Sequence, residues 1–169
     1  DFRWISERGI NSVRIPIPWW LWGDSPYHNS VQYIEQAMVW AEKYDLKVLL
    51  DLHTAPGCQN GFDNGGITGQ FEWQLPENVA RTVEVIGQIA NQFKDYESLW
   101  GIEVLNEPRW DTDLDLLQQF YLDSYNLIRE YDEDIYVGFH DSFRPNDSSW
   151  VSFFTENDFN NVFLDLHFY

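Results

Sequence analysis

Cysteine occurs once in this 169-residue chain, at Cys58, so no disulfide can close within it. Bases are scarce as well: ten Lys and Arg stand against 28 Asp and Glu, a net charge of −18. A surface of that sign repels nucleic acid and anionic membranes, which excludes both as partners. It suits a neutral substrate, and solubility or a saline habitat accounts for the charge without any charged ligand. The four histidines are scattered without close metal-ligand spacing, so neither a structural zinc site nor any other metal or cofactor is expected. No apolar run approaches the roughly 20 residues of a membrane span. A glycine-rich G-x-G-x-x-G loop is missing too, which counts against a nucleotide-binding sheet. The chain opens without Met on Asp1, inside a helical pattern, and stops at Tyr169 directly after a strand pattern. Both ends read as cut, and the lack of a targeting segment therefore says little.

Aromatic residues, by contrast, make up 18% of the chain and include nine Trp. The hydrophobic period switches repeatedly between short apolar runs and longer helical repeats. Strands are predicted at 12–17, 47–52, 101–105, 135–139 and 162–168, and helices at 31–44, 78–96, 114–131 and 149–156. A helical stub at 2–8 precedes them, stopped by Gly9. Continuous apolar stretches such as KVLLDL, IYVGF and VFLDL indicate parallel strands buried on both faces. Strands alternating with helices predict an α/β domain, either a (β/α)8 TIM barrel or an open doubly wound sheet. A complete barrel takes about 250 residues, so residues 1–169 read as one partial barrel domain with about five of eight βα units. The one long loop, 53–77, is expected to be functional.

Each predicted strand runs into polar residues at its C-terminal end. The first carries Arg14 and leads to Pro16, Trp19, Trp20 and Trp22; the second ends in Asp51 and His53. The third ends in Asn106, Glu107 and Pro108, the fourth in His140 and Asp141, and the fifth in His167, Phe168 and Tyr169. In a barrel these ends share one face, where active sites sit. Glu107 follows an apolar run and Pro108 halts the strand behind it, so the carboxylate is expected at the rim. Asn106 beside it offers an amide that both donates and accepts. A carboxyl group that gives up a proton near neutral pH needs a raised pKa, which a partly desolvated, aromatic-lined rim supplies. A surface glutamate in a turn is the plain alternative, and the other polar strand ends weigh against it. Arg14 lies in the apolar run VRIPIP and needs a partner if buried. Glu103, deeper on the strand of Glu107, is the candidate, either as a structural ion pair or with Arg14 orienting an active-site carboxylate. His53 and His167 occupy equivalent strand ends and are expected in the site rather than in the core. Trp19, Trp20, Trp22, Phe62, Phe71, Trp73, Trp110, Phe143, Phe168 and Tyr169 all follow strand ends, and sugars stack their C–H faces on such rings. Trp4, Trp40 and Trp100 are assigned to packing.

At these residues the chain resembles glycoside hydrolase family 5, in the large clan of (β/α)8 glycosidases. The motifs are V-R-I-P at 13–16, D-L-H at 51–53 and L-N-E-P at 105–108. The more specific stretch 51–65, DLHTAPGCQNGFDNG, is similar to the exo-β-1,3-glucanase-like subgroup. The resemblance spans nearly the whole chain, as strands two to six of the family barrel. It implies Glu107 as acid/base, Asn106 on the sugar 2-hydroxyl, and Arg14, His53, His167 and Tyr169 around the reacting sugar. It further implies Phe62 as an aromatic at the pocket entrance, with Asp63 and Asn64 on sugar hydroxyls. The expected activity is retaining hydrolysis of a neutral β-glucan or glucoside, as in an exo-β-1,3-glucanase, without a cofactor and in an extracellular or cell-surface setting. A β-1,6-glucanase, a disaccharide-releasing relative and a noncatalytic carbohydrate-binding barrel are the alternatives. Retention needs two carboxylates about 5–5.5 Å apart. The family's substrate-binding Glu on the first strand, nucleophilic Glu on the seventh and stacking Trp on the eighth have no counterpart here. Glu103 lies too deep, and Asp51 and Asp141 come from other strands. No nucleophile is therefore expected within this chain, which alone is expected to be inactive.

Overall fold

The computed structural model describes residues 2–169. Helices and strands alternate as α1 (Phe2–Ser6), β1 (Ser12–Pro18), α2 (Val31–Lys43), β2 (Lys47–Thr54), α3 (Pro76–Phe93), β3 (Leu99–Glu103), α4 (Leu114–Arg129), β4 (Tyr136–His140), α5 (Ser149–Glu156) and β5 (Val162–Asp165). The five strands pair in parallel and in chain order, β1-β2-β3-β4-β5. Consecutive parallel strands need a crossover, and the helices supply it. None of the described helices is long and apolar enough to cross a membrane.

One face of the sheet packs on the helices. Val48, Leu50, Leu52, Ile102, Val137 and Phe139 meet Met38, Ala41, Ile86, Ile89, Phe93, Phe120 and Ile128 in one buried core. The helices present these residues at helical spacing, and their ends are marked locally. Pro76 opens α3, where its missing N–H costs nothing. The Asp113 carboxylate caps α4 by accepting from the N–H groups of Asp115 and Leu116.

The other face carries the polar residues. Register aligns Pro16 with Asp51, Asp51 with Glu103, and Glu103 with Gly138, while His140 lies beside Asp165. Gly138 is needed there, since a Cβ would come within 2.4 Å of the Phe163 ring. A register shift between Val48 and Leu49 leaves Trp100 unpaired in the β2–β3 ladder. Its ring stacks on Tyr136, centroids 4.6 Å apart.

The parallel α/β arrangement agrees with the pattern reading, and the boundaries move. β3 ends at Glu103 rather than Leu105, because the chain then bends toward Glu107, whose φ is +46°. Glu107 thus lies on the bend past β3, four residues beyond Glu103. β5 stops at Asp165, short of 168, and α3 begins at Pro76, before 78. Trp73 belongs to the core and not to an aromatic mouth: it is fully buried, edge-on to Phe120 at 5.1 Å, with its N–H on the Thr82 hydroxyl. Trp40 leans on Phe2 as packing predicts, whereas Trp4 stays 54% exposed beneath the Arg8 guanidinium.

Candidate active site

The C-terminal ends of β2, β3 and β5 converge on Glu107. The bend after β3 is held by ladder-like bonds from the Val104 N–H to the Gly138 carbonyl and from the Asn106 N–H to the Leu52 carbonyl. At its tip the Glu107 carboxylate meets three donors. Asn64 Nδ2 donates to Oε2 at 2.7 Å, His167 Nδ1 lies 2.7 Å from Oε1, and the Tyr169 hydroxyl donates to Oε1. Burial pushes the carboxyl pKa up, but the bonds from Tyr169, His167 and Asn64 outweigh it and the net shift is downward. The raised value expected from the sequence is thus reversed, because hydrogen bonding to the charged form favours it.

His167 spans two carboxylates, with Nε2 3.1 Å from Asp165 Oδ2. Burial lowers its pKa, yet Glu107 and Asp165 together leave it raised. With a carboxylate at each ring nitrogen, His167 braces Glu107 from the side of Asp165.

Arg14 is not in contact with Glu107. Its guanidinium grips Glu103 through Nε at 2.7 Å and Nη2 at 2.9 Å, and Nη1 lies 3.1 Å from Asp51 Oδ2. Nη2 also donates to Asn106 Oδ1 at 2.8 Å. The pair with Glu103 is the structural partnership read from the sequence, and the bond to Asn106 carries it into the site. With Oδ1 taken, Asn106 Nδ2 is buried without a partner. His53 Nδ1 sits 2.6 Å from Asp51 Oδ2. Burial pushes Glu103 up to about 7; Arg14 opposes this, and the charges of Asp51 and Asp165 add to it.

A cavity of about 460 Å³ opens over Glu107, lined by Phe62, Asp63, Asn64, Trp110, Phe143 and Tyr169. The aromatic mouth is thus narrower than the sequence suggested. Trp20 stacks on Tyr27 at 3.8 Å and Trp19 meets it edge-on, away from this cavity. Phe71 lies beneath the Arg109 guanidinium. Phe62 is 43% exposed at the opening. Asp63 accepts from the Asn64 N–H and otherwise faces the cavity.

Asp165, Gln59 and Asn60 reach this region although none was singled out from the sequence. Asp165 could have been, being an acid within the apolar run VFLDL just as Arg14 interrupts VRIPIP; the two loop amides carry no such signal. Atoms of Glu103, Asp165 and His167 gather within 4.8 Å, a spacing a cation could use. Arg14 already binds both oxygens of Glu103, and both His167 nitrogens face carboxylates.

A parallel sheet with a carboxylate, its donors and an aromatic-lined cavity at the strand C-termini defines a barrel-type α/β enzyme site. The chain belongs to the cellulase family, glycosyl hydrolase family 5, which matches residues 2–169. It is 41% identical over 176 residues to a glucan 1,3-β-glucosidase of Blumeria graminis, covering all of this chain and 41% of that protein. Against glucan 1,3-β-glucosidase 1 of Schizosaccharomyces pombe it is 38% identical over 177 residues, covering all of this chain and 43% of the relative. The chain thus spans less than half the length of these curated relatives. In fold it is similar to rutinosidase from Aspergillus niger, with a TM-score of 0.80 at 24% identity over 96% of this chain and 51% of that one. The sheet is accordingly part of a family 5 TIM barrel.

Proposed function

We propose that the whole protein is a retaining exo-β-1,3-glucanase in which Glu107 is the general acid/base. The observation that carries this reading is Glu107 itself: a carboxylate at a strand C-terminus, braced by His167, Tyr169 and Asn64 beneath an aromatic-lined cavity. The two glucan 1,3-β-glucosidases, alike over the full chain, support β-1,3-glucan as the substrate. A neutral polymer also suits a surface of charge −18. Asn106 Nδ2, buried and unpartnered, is a donor suited to a sugar 2-hydroxyl. Arg14 fixes its orientation through its oxygen.

The nucleophile comes from outside residues 1–169. Retention needs a carboxylate about 5–5.5 Å from the acid/base. Glu103 is committed to Arg14, and Asp165 stands behind the His167 ring. Residues 1–169 alone accordingly have no hydrolytic activity. A nucleophilic carboxylate at that distance also repels a charge on Glu107, raising its pKa toward what an acid catalyst needs. His167, Tyr169 and Asn64 then stabilise the anion formed after proton transfer, when Glu107 acts as base.

Glu107→Gln in the whole enzyme tests the role. It removes proton donation, worth about 10²–10⁴-fold, so glycosides with poor leaving groups lose that much in the glycosylation step. Activated aryl glucosides, which need little protonation, lose less. Small and equal losses on both substrate types would assign Glu107 to structure.

A further inference from the structure

Glu107 holds a backbone conformation that its side chain disfavours, and what holds it there lies in the long loop. At φ +46° a residue with a Cβ is strained, because the Cβ crowds the following carbonyl oxygen. The two peptide carbonyls flanking its Cα both accept from side-chain amides. Gln59 Nε2 donates to the Asn106 carbonyl at 2.9 Å, and Asn60 Nδ2 to the Glu107 carbonyl at 3.0 Å. Both amides are buried, at 0% and 1% exposure, so neither has water as an alternative partner. Gln59 is fixed in orientation because its Oε1 accepts from the Ala55 N–H while Nε2 also holds the His53 carbonyl. Asn60 is fixed likewise by the Phe62 N–H on its Oδ1.

Asn60 reaches Glu107 a second way. Its Nδ2 also donates to Asn64 Oδ1 at 3.2 Å, which turns Asn64 Nδ2 toward the Glu107 carboxylate. Gly65 makes room for this arrangement, since a Cβ there would come within 2.5 Å of Cys58 Sγ and 2.6 Å of Asn60 Oδ1. Loop closure alone would need bonds within the loop; here each amide sends a donor out to the peptide on one side of Glu107.

We propose that Gln59 and Asn60 are positioning residues for Glu107, clamping the peptides on either side of it and selecting the face of Asn64 that meets its carboxylate. This rests on Glu107 being the acid/base.

Asn60→Asp in the whole enzyme tests it, with Asn60→Ala beside it. The aspartate keeps the acceptor for the Phe62 N–H and replaces the donor with an oxygen. Asn64 then has reason to turn its own oxygen toward Glu107, which favours the protonated carboxyl. The expected result is a fall in kcat of about ten- to hundredfold on poor leaving groups, a smaller fall on activated aryl glucosides, and little change in KM. The basic limb of the pH–rate profile moves to higher pH in Asn60→Asp. Equal losses on both substrate types, or an unmoved limb in folded Asn60→Asp, overturn the proposal. If neither variant folds, Gly65→Ala presses on Asn60 and on the neighbouring Cys58 without altering either, and an unchanged leaving-group dependence there overturns the proposal instead. Glu107→Gln is measured in parallel. Should it lack leaving-group dependence, the reading of Glu107 fails; should it show the dependence while the Asn60 variants do not, only the positioning role fails.

Discussion

Tyr169 donates its hydroxyl proton to the same Glu107 oxygen that faces His167. That bond favours the carboxylate, and it belongs to the set that holds the Glu107 pKa below its ordinary value despite burial. Removing the donor must therefore move the pKa upward. In its proposed role as acid, Glu107 is active only while protonated, so Tyr169→Phe in the whole enzyme should shift the basic limb of kcat/KM to higher pH. A limb that stays in place would mean that the hydroxyl is not coupled to proton transfer. At this same scale lies the ionic network behind Asn106. Arg14 ties Glu103 and Asp51 to Asn106, so a change at Arg14 reaches the sugar site through an amide rather than through a charge.

In the proposed reading, the loop between β2 and α3 is the element that combines positioning with recognition. Its buried part, Gln59 and Asn60, holds the Glu107 bend, while its exposed part presents Phe62 and Asp63 to the cavity. Asp63 should accept from hydroxyls of the sugar nearest the reaction, bonds of about 1.5–3 kcal/mol for a charged acceptor. Phe62, at the opening, should stack on the next sugar along. Asp63→Ala is then expected to lower kcat/KM about equally for a laminari-dimer, a trimer and an aryl glucoside. Phe62→Ala should lower it more for the oligosaccharides than for the aryl glucoside. An unchanged oligosaccharide-to-aryl ratio in Phe62→Ala would make that ring loop packing.

Across the whole molecule, two buried groups oppose one another in pH dependence. Burial pushes His140 down to about 4, with the His167 charge adding to it, and pushes Glu103 up to about 7. The unfolded chain protonates His140 below its ordinary 6.5 while the folded one does not, so stability falls as pH drops from 6.5 toward 4. For Glu103 the folded state keeps a proton that the unfolded chain sheds at its ordinary 4.5. Stability on that account falls as pH rises from 4.5 to 7. Each window is about 2.5 units wide, on the order of 3 kcal/mol, and the slopes nearly cancel between pH 4.5 and 6.5. Glu103→Gln should expose the His140 slope: relative to wild type, the Tm should drop more steeply on acidification through that window. Parallel Tm–pH curves for the two proteins would remove Glu103 from the linkage.

The alternation of apolar strands and amphipathic helices was legible in the sequence because burial on both faces leaves continuous runs such as KVLLDL, while helices keep a polar stripe. The candidate site residues at strand ends stood out for a related reason: Arg14, His53, Glu107 and His167 are polar groups where the local pattern calls for apolar ones, or where it stops. Partnerships between residues far apart in the chain were not. Whether Glu107 was pushed up or down depended on Tyr169 and His167, about sixty positions away, and three donors reversed what burial alone implied. Trp73 looked like a mouth residue because it follows a strand, and only the packing of α3 and α4 shows it against Phe120 in the core. The clamp of Gln59 and Asn60 was equally silent, since an amide in a loop takes its meaning from the carbonyls it faces. Pattern along the chain decides which residues leave water, because hydrophobicity is a property of each side chain and its period. Tertiary structure alone decides which polar groups meet, because hydrogen bonds and charges act between atoms a few ångströms apart.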